Sequence, residues 1–401
     1  MKILVVTQYF YPEEFKINDL VKGMVDRGHE VTVLTGKPNY PHGSIYEGYK
    51  RWNVCKETIY GAKVIRVPVI PRGKGTSALL AINYISFVFF SCLYVLFHRF
   101  NPDKIFCWDT SPITQAYAGI LVKKKTKASL SMWVQDLWPE SVTATKDSLG
   151  KGFMYNFLLR MVRGIYKHFD TLFIQATGFE KSIREKGDFK AKFVYAPNWA
   201  EDIFCNESLI DRNRYQDILP NGFKIMFAGN IGVAQDFDSI LEAAKITCHA
   251  KDIKWVIVGD GRHREHVERR IKEMGLEDTV FILGRYHVTE MPSFFVHADA
   301  LLVSLKNKYI FSLTIPSKIQ AYLAFGKPIL TMINGEGNNV VMNAKCGYTA
   351  NAGDYRALAD NVLRLHRASK EEKHQMGKNG KTYYSFYLTK DKIIDRIINN
   401  M

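Results

Sequence analysis

Residues 1–36, MKILVVTQYFYPEEFKINDLVKGMVDRGHEVTVLTG, carry the alternation that decides the fold. Lys2 to Thr7 is a short apolar run of buried-strand character, Asn18 to Arg27 repeats apolar residues at helical spacing, and Glu30 to Thr35 is apolar again. Strand, helix and strand in that order predict a parallel βαβ unit. Gly28 reads as the glycine that ends the helix; it places the fold and carries no chemistry. The turn after the first strand, Tyr9-Phe10-Tyr11-Pro12-Glu13-Glu14-Phe15, is aromatic and acidic. In an open parallel sheet that turn lies at the carboxyl ends of the strands, where ligands bind.

The alternation continues along the chain. Strand-like runs recur at Lys63 to Val67, Asp103 to Cys107, Ser129 to Val134, Thr171 to Ile174 and Lys192 to Tyr195. Turn residues from Pro197-Asn198-Trp199 to Pro220-Asn221-Gly222 mark a boundary, and the pattern then restarts. The second series runs through Phe223 to Ala228, Lys254 to Val258, Thr279 to Leu283, Ala300 to Ser304, Pro328 to Thr331 and Gly347 to Ala350. The fold class is therefore α/β, with two doubly wound Rossmann-like domains, as 401 residues with 47% hydrophobic content also suggest. The expected divisions are 1–200, 201–385 and a C-terminal helix, 386–401, packing back on the first domain.

A net charge of +15 favours phosphate-bearing partners such as nucleic acid, anionic lipid or nucleotide. No nucleic-acid-binding module is recognised, and the basic residues accompany apolar runs rather than base-stacking patches. Six cysteines without CxxC or Cys/His spacing argue against zinc or a disulfide framework and fit a reduced cytoplasm. The chain passes from Met1 straight into a strand, so no signal peptide is expected. Ala78 to Phe97, ALLAINYISFVFFSCLYVLF, is twenty residues without a charge. It could span a bilayer, lie in a core or sink into a membrane surface. Nearby basic residues favour the last: Lys123, Lys124, Lys125, Lys127, then Lys151, Arg160, Arg163, Lys167 and His168 among Phe153, Met154, Tyr155 and Phe157. Phe87 and Phe90 are expected on the lipid-facing side.

Two motifs point to an anion. Gly229-Asn230-Ile231-Gly232 follows the first strand of the second domain and precedes a helix, where backbone N–H groups can meet phosphate. In Ile315-Pro316-Ser317-Lys318, proline suits the first turn of a helix whose N-terminal end then carries a hydroxyl and a cation. Asp236-Phe237-Asp238 has the spacing of a metal motif, but its place before a helix reads as N-capping by either aspartate. No metal requirement is expected.

Taken together these motifs resemble the family-4 glycosyltransferases of the two-Rossmann architecture called GT-B, over nearly the whole chain. The resemblance rests on Tyr9-Phe10-Tyr11-Pro12, Arg27-Gly28-His29-Glu30-Val31, Gly36-Lys37-Pro38-Asn39-Tyr40-Pro41 and Trp133 to Ser141 (WVQDLWPES). It rests equally on Ala196-Pro197-Asn198-Trp199, the Gly229 to Gly232 loop and Pro316-Ser317-Lys318 with Ala324-Phe325-Gly326-Lys327-Pro328. The branch they resemble includes bacterial L-N-acetylfucosaminyl transferases of capsule and O-antigen pathways.

The resemblance implies two domains facing across a cleft, the second binding a UDP-sugar donor and the first an acceptor. Gly229, Asn230, Gly232, Ser317 and Lys318 would then hold the diphosphate, and Arg285 with Tyr286 would sit at the uracil. Tyr11, Glu13, Lys16, Asn39 and Tyr40 would form the acceptor side, with Asp136, Glu14 and Lys318 as catalytic candidates. It further implies UDP-N-acetyl-L-fucosamine as donor, an undecaprenyl-diphosphate-linked sugar as acceptor, no cofactor, and a peripheral place on the cytoplasmic face of the cell membrane. A GT-B nucleotide-sugar epimerase, or a transferase of a different UDP-hexose, is the alternative. The chain departs from the family pattern where Leu313 and Ala321 replace two glutamates and Asn230 and Gln235 replace an arginine and a lysine. Lys318 becomes the main candidate cation, and a 6-deoxy sugar resting on Leu313 and Ile315 suits the lost carboxylates.

Overall fold

Each strand-like run above becomes a strand, because a parallel sheet covered on both faces accepts side chains without polar alternation. The computed structural model describes residues 1–143 and 152–401, so Lys151 lies outside the described residues. The chain divides into two units, Met1–Pro197 with Asp391–Met401, and Asn198–Lys390.

The first unit carries strands β1 (Lys2–Val6), β2 (Glu30–Gly36), β3 (Cys55–Ile59), β4 (Ala62–Val67), β5 (Lys104–Asp109), β6 (Ser129–Val134), β7 (Thr171–Ile174) and β8 (Lys192–Tyr195). They form one sheet in the order β3-β4-β2-β1-β5-β6-β7-β8. All neighbours are parallel except the edge pair β3 and β4. That antiparallel edge strand is an element the periodicity did not reveal. The helix after β1 spans Lys16–Asp26 and buries Ile17, Leu20, Val21 and Met24, the spacing of one helical face. Gly28 follows at φ 78°, and the His29 N–H closes the end on the Met24 carbonyl.

The order reverses at β1 and β5, so the Tyr9–Phe15 turn and the loop after β5 lie at the switch point where open sheets form crevices. The C-terminal helix Lys390–Asn399 buries Ile393, Ile394 and Ile397 within this first unit. Residues 386–390 stay with the second unit, because the preceding helix Lys370–Tyr387 packs along helix Ser317–Phe325. The return therefore begins at Asp391 rather than at 386.

The second unit holds β9 (Phe223–Ala228), β10 (Ile253–Val258), β11 (Val280–Gly284), β12 (Ala300–Ser304), β13 (Ile329–Met332) and β14 (Gly347–Ala350). Its sheet is wholly parallel, in the order β11-β10-β9-β12-β13-β14. The core is built from Phe227, Trp255, Ile257 and Leu302 of the sheet against Phe237, Leu241, Leu358 and Val362 of helices Phe237–Thr247 and Tyr355–Arg367. The switch point here falls between β9 and β12, with the Gly229 to Gly232 loop directly after β9.

Candidate active site

In the second unit, Gly229, Asn230, Arg285, Tyr286, Ser317 and Lys318 line one cavity of about 820 Å³, within the range of small-molecule sites. Gly232 is not among its lining residues. The loop also differs from the cradle expected of it. The Gly229 N–H donates to the Val258 carbonyl, Ile231 N–H to Asp260, and Gly232 N–H to Gln235 Oε1. These donors are already used inside the protein, so the loop shapes the wall more than it offers N–H groups. The helix Ser317–Phe325 is better placed for an anion, since the first N–H groups of a helix have no carbonyl partner within it.

The Lys318 Nζ sits 3.4 Å from the centre of the Phe227 ring. Desolvation pushes its pKa down to about 7. A Cβ on Gly229 would come 2.9 Å from Lys318 Cε, so the glycine leaves room for the lysine to reach the cavity. Tyr286 is fixed by aromatic contacts with Tyr215 and Phe294 at 5.2 and 4.6 Å. Arg285 beside it is exposed.

The sequence reading missed the turn Gly259-Asp260-Gly261-Arg262 after β10, which forms another wall. A Cβ at Gly259 would lie 1.8 Å from the Gly229 carbonyl oxygen, and one at Gly261 2.3 Å from that of Ile231. Only glycine lets the two loops touch, and the Gly-x-Gly directly after an apolar strand was the signal available. Arg262 adds a third cation beside Lys318 and Arg285, and Glu201 and Asp260 supply carboxylates. Ala321 opens the wall beside Phe295 and Met291. Leu313 and Ile315, expected to support a sugar methyl, are instead 7% and 4% exposed and do not line the cavity. Their side chains are spent on packing.

Asp236 and Asp238 do not cap the helix with their side chains, contrary to expectation. Asp236 occupies the cap position at φ 53° without a capping bond, and the Asp238 carboxylate instead accepts from His266 Nε2 at 2.8 Å.

In the first unit the candidates divide by burial. Glu13 is 1% exposed, and its carboxylate accepts the N–H groups of Phe10, Asn39 and Tyr40 at 3.2, 2.8 and 2.7 Å. Asn39 is equally buried, donating to the Lys37 carbonyl and accepting from the Arg72 N–H. Both bind their own loops together rather than an acceptor, because their polar atoms are already paired. Burial raises the Glu13 pKa to about 7, even against those three N–H groups.

What the staple presents is the surface of Tyr11 and Tyr40, 45% and 37% exposed. Arg72 lies 4.8 Å over the Tyr40 ring, whose other neighbours include Phe15 at 5.2 Å. Tyr9 and Phe10 are core residues, 3% and 0% exposed. Glu14 is exposed and Lys16 half-buried at the start of its helix.

Asp136 follows β6 and is half-buried, its Oδ2 accepting from Ser111 N and Oγ at 3.0 and 2.8 Å. Trp138 Nε1 donates to the same hydroxyl, so the residues around Asp136 fix its carboxylate through a serine. The carboxylate is close enough to Tyr84, on helix Ser77–Phe97, to help raise that phenol's pKa, after burial as the main cause. The sequence reading also missed Asp109 at the end of β5. It is wholly buried, and burial together with Asp136 raises its pKa well above the usual carboxylate range.

Comparison with known proteins fits this geometry. Residues 15–199 match the glycosyl transferase 4-like domain, and residues 212–383 match the glycosyl transferases group 1. Sucrose-phosphate synthase of Thermosynechococcus elongatus superposes with a TM-score of 0.74 at 16% identity, covering 99% of this chain and 97% of that one. This chain is a glycosyltransferase of the GT-B fold.

Among the transferase's relatives is WcaI of Escherichia coli (strain K12), assigned as a colanic acid biosynthesis glycosyl transferase. It is 27% identical over 342 residues, 81% of this chain and 82% of WcaI. Anabaena Alr3699/HepE, solved with UDP and glucose, superposes with a TM-score of 0.68 at 16% identity over 100% of this chain and 98% of its own.

Proposed function

We propose that the transferase moves a sugar from a UDP-sugar to a saccharide linked to undecaprenyl diphosphate, at the anionic cytoplasmic face of a bacterial membrane, in surface-polysaccharide synthesis. The observation that carries this reading is the helix Ser77–Phe97. It turns Asn83, Ser86 and Ser91 inward and leaves Ile82, Ile85, Phe89, Leu93, Leu96 and Phe97 exposed. An apolar face of that length beside basic residues suits a bilayer surface, where a lipid-linked acceptor resides. Helix Phe153–Tyr166 repeats the arrangement, with Phe153, Met154 and Phe157 exposed next to Arg160, Arg163 and Lys167.

The second unit's cavity, with Lys318, Arg262 and Arg285 on its walls, suits a nucleoside diphosphate. UDP is the reading favoured by HepE, which was solved with it, and polysaccharide synthesis by the WcaI relative. Leaving-group charge on the diphosphate would be met by Lys318 and the Ser317 helix end, with no metal required. For the sugar we propose N-acetyl-L-fucosamine. An apolar wall of Ala321, Met291 and Phe295 suits a 6-deoxy carbon, which would leave a facing carboxylate unpaired.

The test incubates purified enzyme with a lipid-linked acceptor and a panel of UDP-sugars. Fastest transfer from the 2-acetamido-6-deoxy sugar is expected. Preference for UDP-glucose or UDP-N-acetylglucosamine would remove the deoxy-sugar reading, and transfer only to a soluble acceptor would remove the lipid-linked one.

A further inference from the structure

Asp238, His263 and His266 form a group that nothing above employs. Asp238 lies in the first turn of helix Phe237–Thr247, and the two histidines flank the start of helix Arg264–Glu273. One ligand atom from each of the three lies within 4.8 Å of the others. The histidine rings stack with centres 4.2 Å apart, and His266 Nε2 is 2.8 Å from Asp238 Oδ1. Ligand atoms about 2 Å from a zinc ion stand about 3.3 Å apart in a tetrahedral array. Small side-chain rotations therefore suffice to bring all three onto one ion.

We propose that Asp238, His263 and His266 bind a divalent transition-metal ion of the zinc class. Two imidazoles and one carboxylate select such an ion over magnesium or calcium, which prefer oxygen ligands. The ion would replace the proton between His266 and Asp238, and Arg269, 3.1 Å from His266 Nδ1 and 65% exposed in its side chain, would turn to solvent.

Arg270 Nε, 4.0 Å from Asp238 Oδ1, is a nearby cation that opposes a further positive charge and so weakens the site. None of the three ligands lines the donor cavity, yet His263 ends the turn that does. Its N–H donates to the Ile231 carbonyl at 3.0 Å. The site is structural: it ties that turn to helix Phe237–Thr247 and takes no part in transfer.

The test uses full-length protein, free of any histidine tag and stripped with chelator, titrated with Zn2+ and Co2+ alone. One equivalent should bind, Co2+ should show visible absorption, and the thermal midpoint should rise with Zn2+. His263→Ala, His266→Ala and Asp238→Asn, each checked for folding by circular dichroism, should each lower affinity roughly 10-fold or more. A thousandfold excess of Mg2+, on the order used to saturate weak oxygen sites, should not compete. Absence of micromolar Zn2+ binding, or unchanged binding in the His263→Ala/His266→Ala double variant, would overturn the proposal. The metal itself is the readout, so failure of the sugar assignment leaves this result intact.

Discussion

The Lys318 ammonium, pressed over Phe227 and desolvated, is the residue whose chemistry depends most on an arriving anion. Lys318→Ala is expected to reduce donor affinity or turnover roughly 10- to 1,000-fold, the range for a charge-assisted contact of about 1.5 to 4 kcal/mol; Arg285→Ala, at an exposed position, should do less. The pH dependence follows from the same group. Its pKa is lowered to about 7 in the free protein, and a bound diphosphate favours the charged form. Above pH 7, UDP binding should therefore take up a proton and weaken as pH rises. Calorimetry in buffers of different ionisation heat would measure that proton, and its persistence in Lys318→Met would place the cation elsewhere. The sign for stability is the reverse: a lysine with a lowered folded pKa makes the apo fold gain stability as pH rises above 7. Glu13 shows the limit of reading residues from sequence. A carboxylate in a ligand-side turn reads as a binding group, yet three backbone N–H groups 3 to 27 positions away already occupy it. Glu13→Gln is expected to destabilise the first unit by about 1–3 kcal/mol, because an amide N–H would face one of those donors. Its raised pKa, about 7, means that the wild type loses stability as pH rises from the usual carboxylate range through 7, a slope the glutamine variant should lack. Equal melting profiles of the two proteins across that window would refute the assignment.

At the scale of elements, the strands were legible because each is a short apolar run bounded by turn residues. Strand β3 was not, since Cys55–Ile59 alternates only weakly and carries Lys56 and Glu57. Its signal was the Tyr60-Gly61 pair, both at positive φ, which is the turn of a tight hairpin. Helix Ser77–Phe97 was legible in length but not in orientation, because it is apolar all round. What orients it is the small set of polar side chains. Asn83 accepts from Gln8 Nε2 at 2.7 Å and donates to the Ile70 carbonyl, and Ser86 Oγ accepts from the Ile70 N–H. Because these polar groups find partners inside the unit, burying them leaves none unsatisfied, and the apolar residues are the ones turned outward. The expectation that Phe87 meets lipid is corrected by the same logic: it is 0% exposed, and Phe90 packs beside Trp52. Ile85→Glu and Phe89→Glu, at 67% and 59% exposure, are expected to weaken co-sedimentation with anionic liposomes roughly 10-fold or more without unfolding. Phe87→Glu should unfold the first unit instead, as circular dichroism would register. Undiminished liposome binding by the Ile85→Glu/Phe89→Glu pair would show that this face does not touch the bilayer.

For the whole molecule, charge and chain path act together. The proposed membrane attraction would have a screened component from the basic balance of +15, so binding to anionic vesicles should fall with added salt while an apolar component remains. The chain path was legible because the strand series restarts after Pro220-Asn221-Gly222, whereas the donor cavity was only half legible. Its walls come from the ends of β9, β10 and β11 and from the Ser317 helix, and no spacing in the sequence joins Gly259 to Gly229. The C-terminal return belongs to this scale too, since it ties the last residues to the first unit. Arg27 pairs with Asp391 and Asp395 at 3.0 and 2.5 Å, Arg396 donates to the Tyr195 carbonyl, and Lys192 donates to Asn400. A Cβ on Gly23 would lie 2.6 Å from Ile394 Cδ1, so the two helices meet where a side chain is absent. The ion pairs are largely exposed and contribute little. Ile393, Ile394 and Ile397 contribute more, about 1.5–3 kcal/mol each when buried. Removing residues 391–401 should therefore cost the first unit several kcal/mol, lowering its melting transition by 10 °C or so. UDP binding in the second unit should survive the truncation, because none of the deleted residues lines that cavity. A single transition shifted for the whole chain, with UDP affinity lost alongside it, would show instead that the units fold as one and that the returning helix serves both.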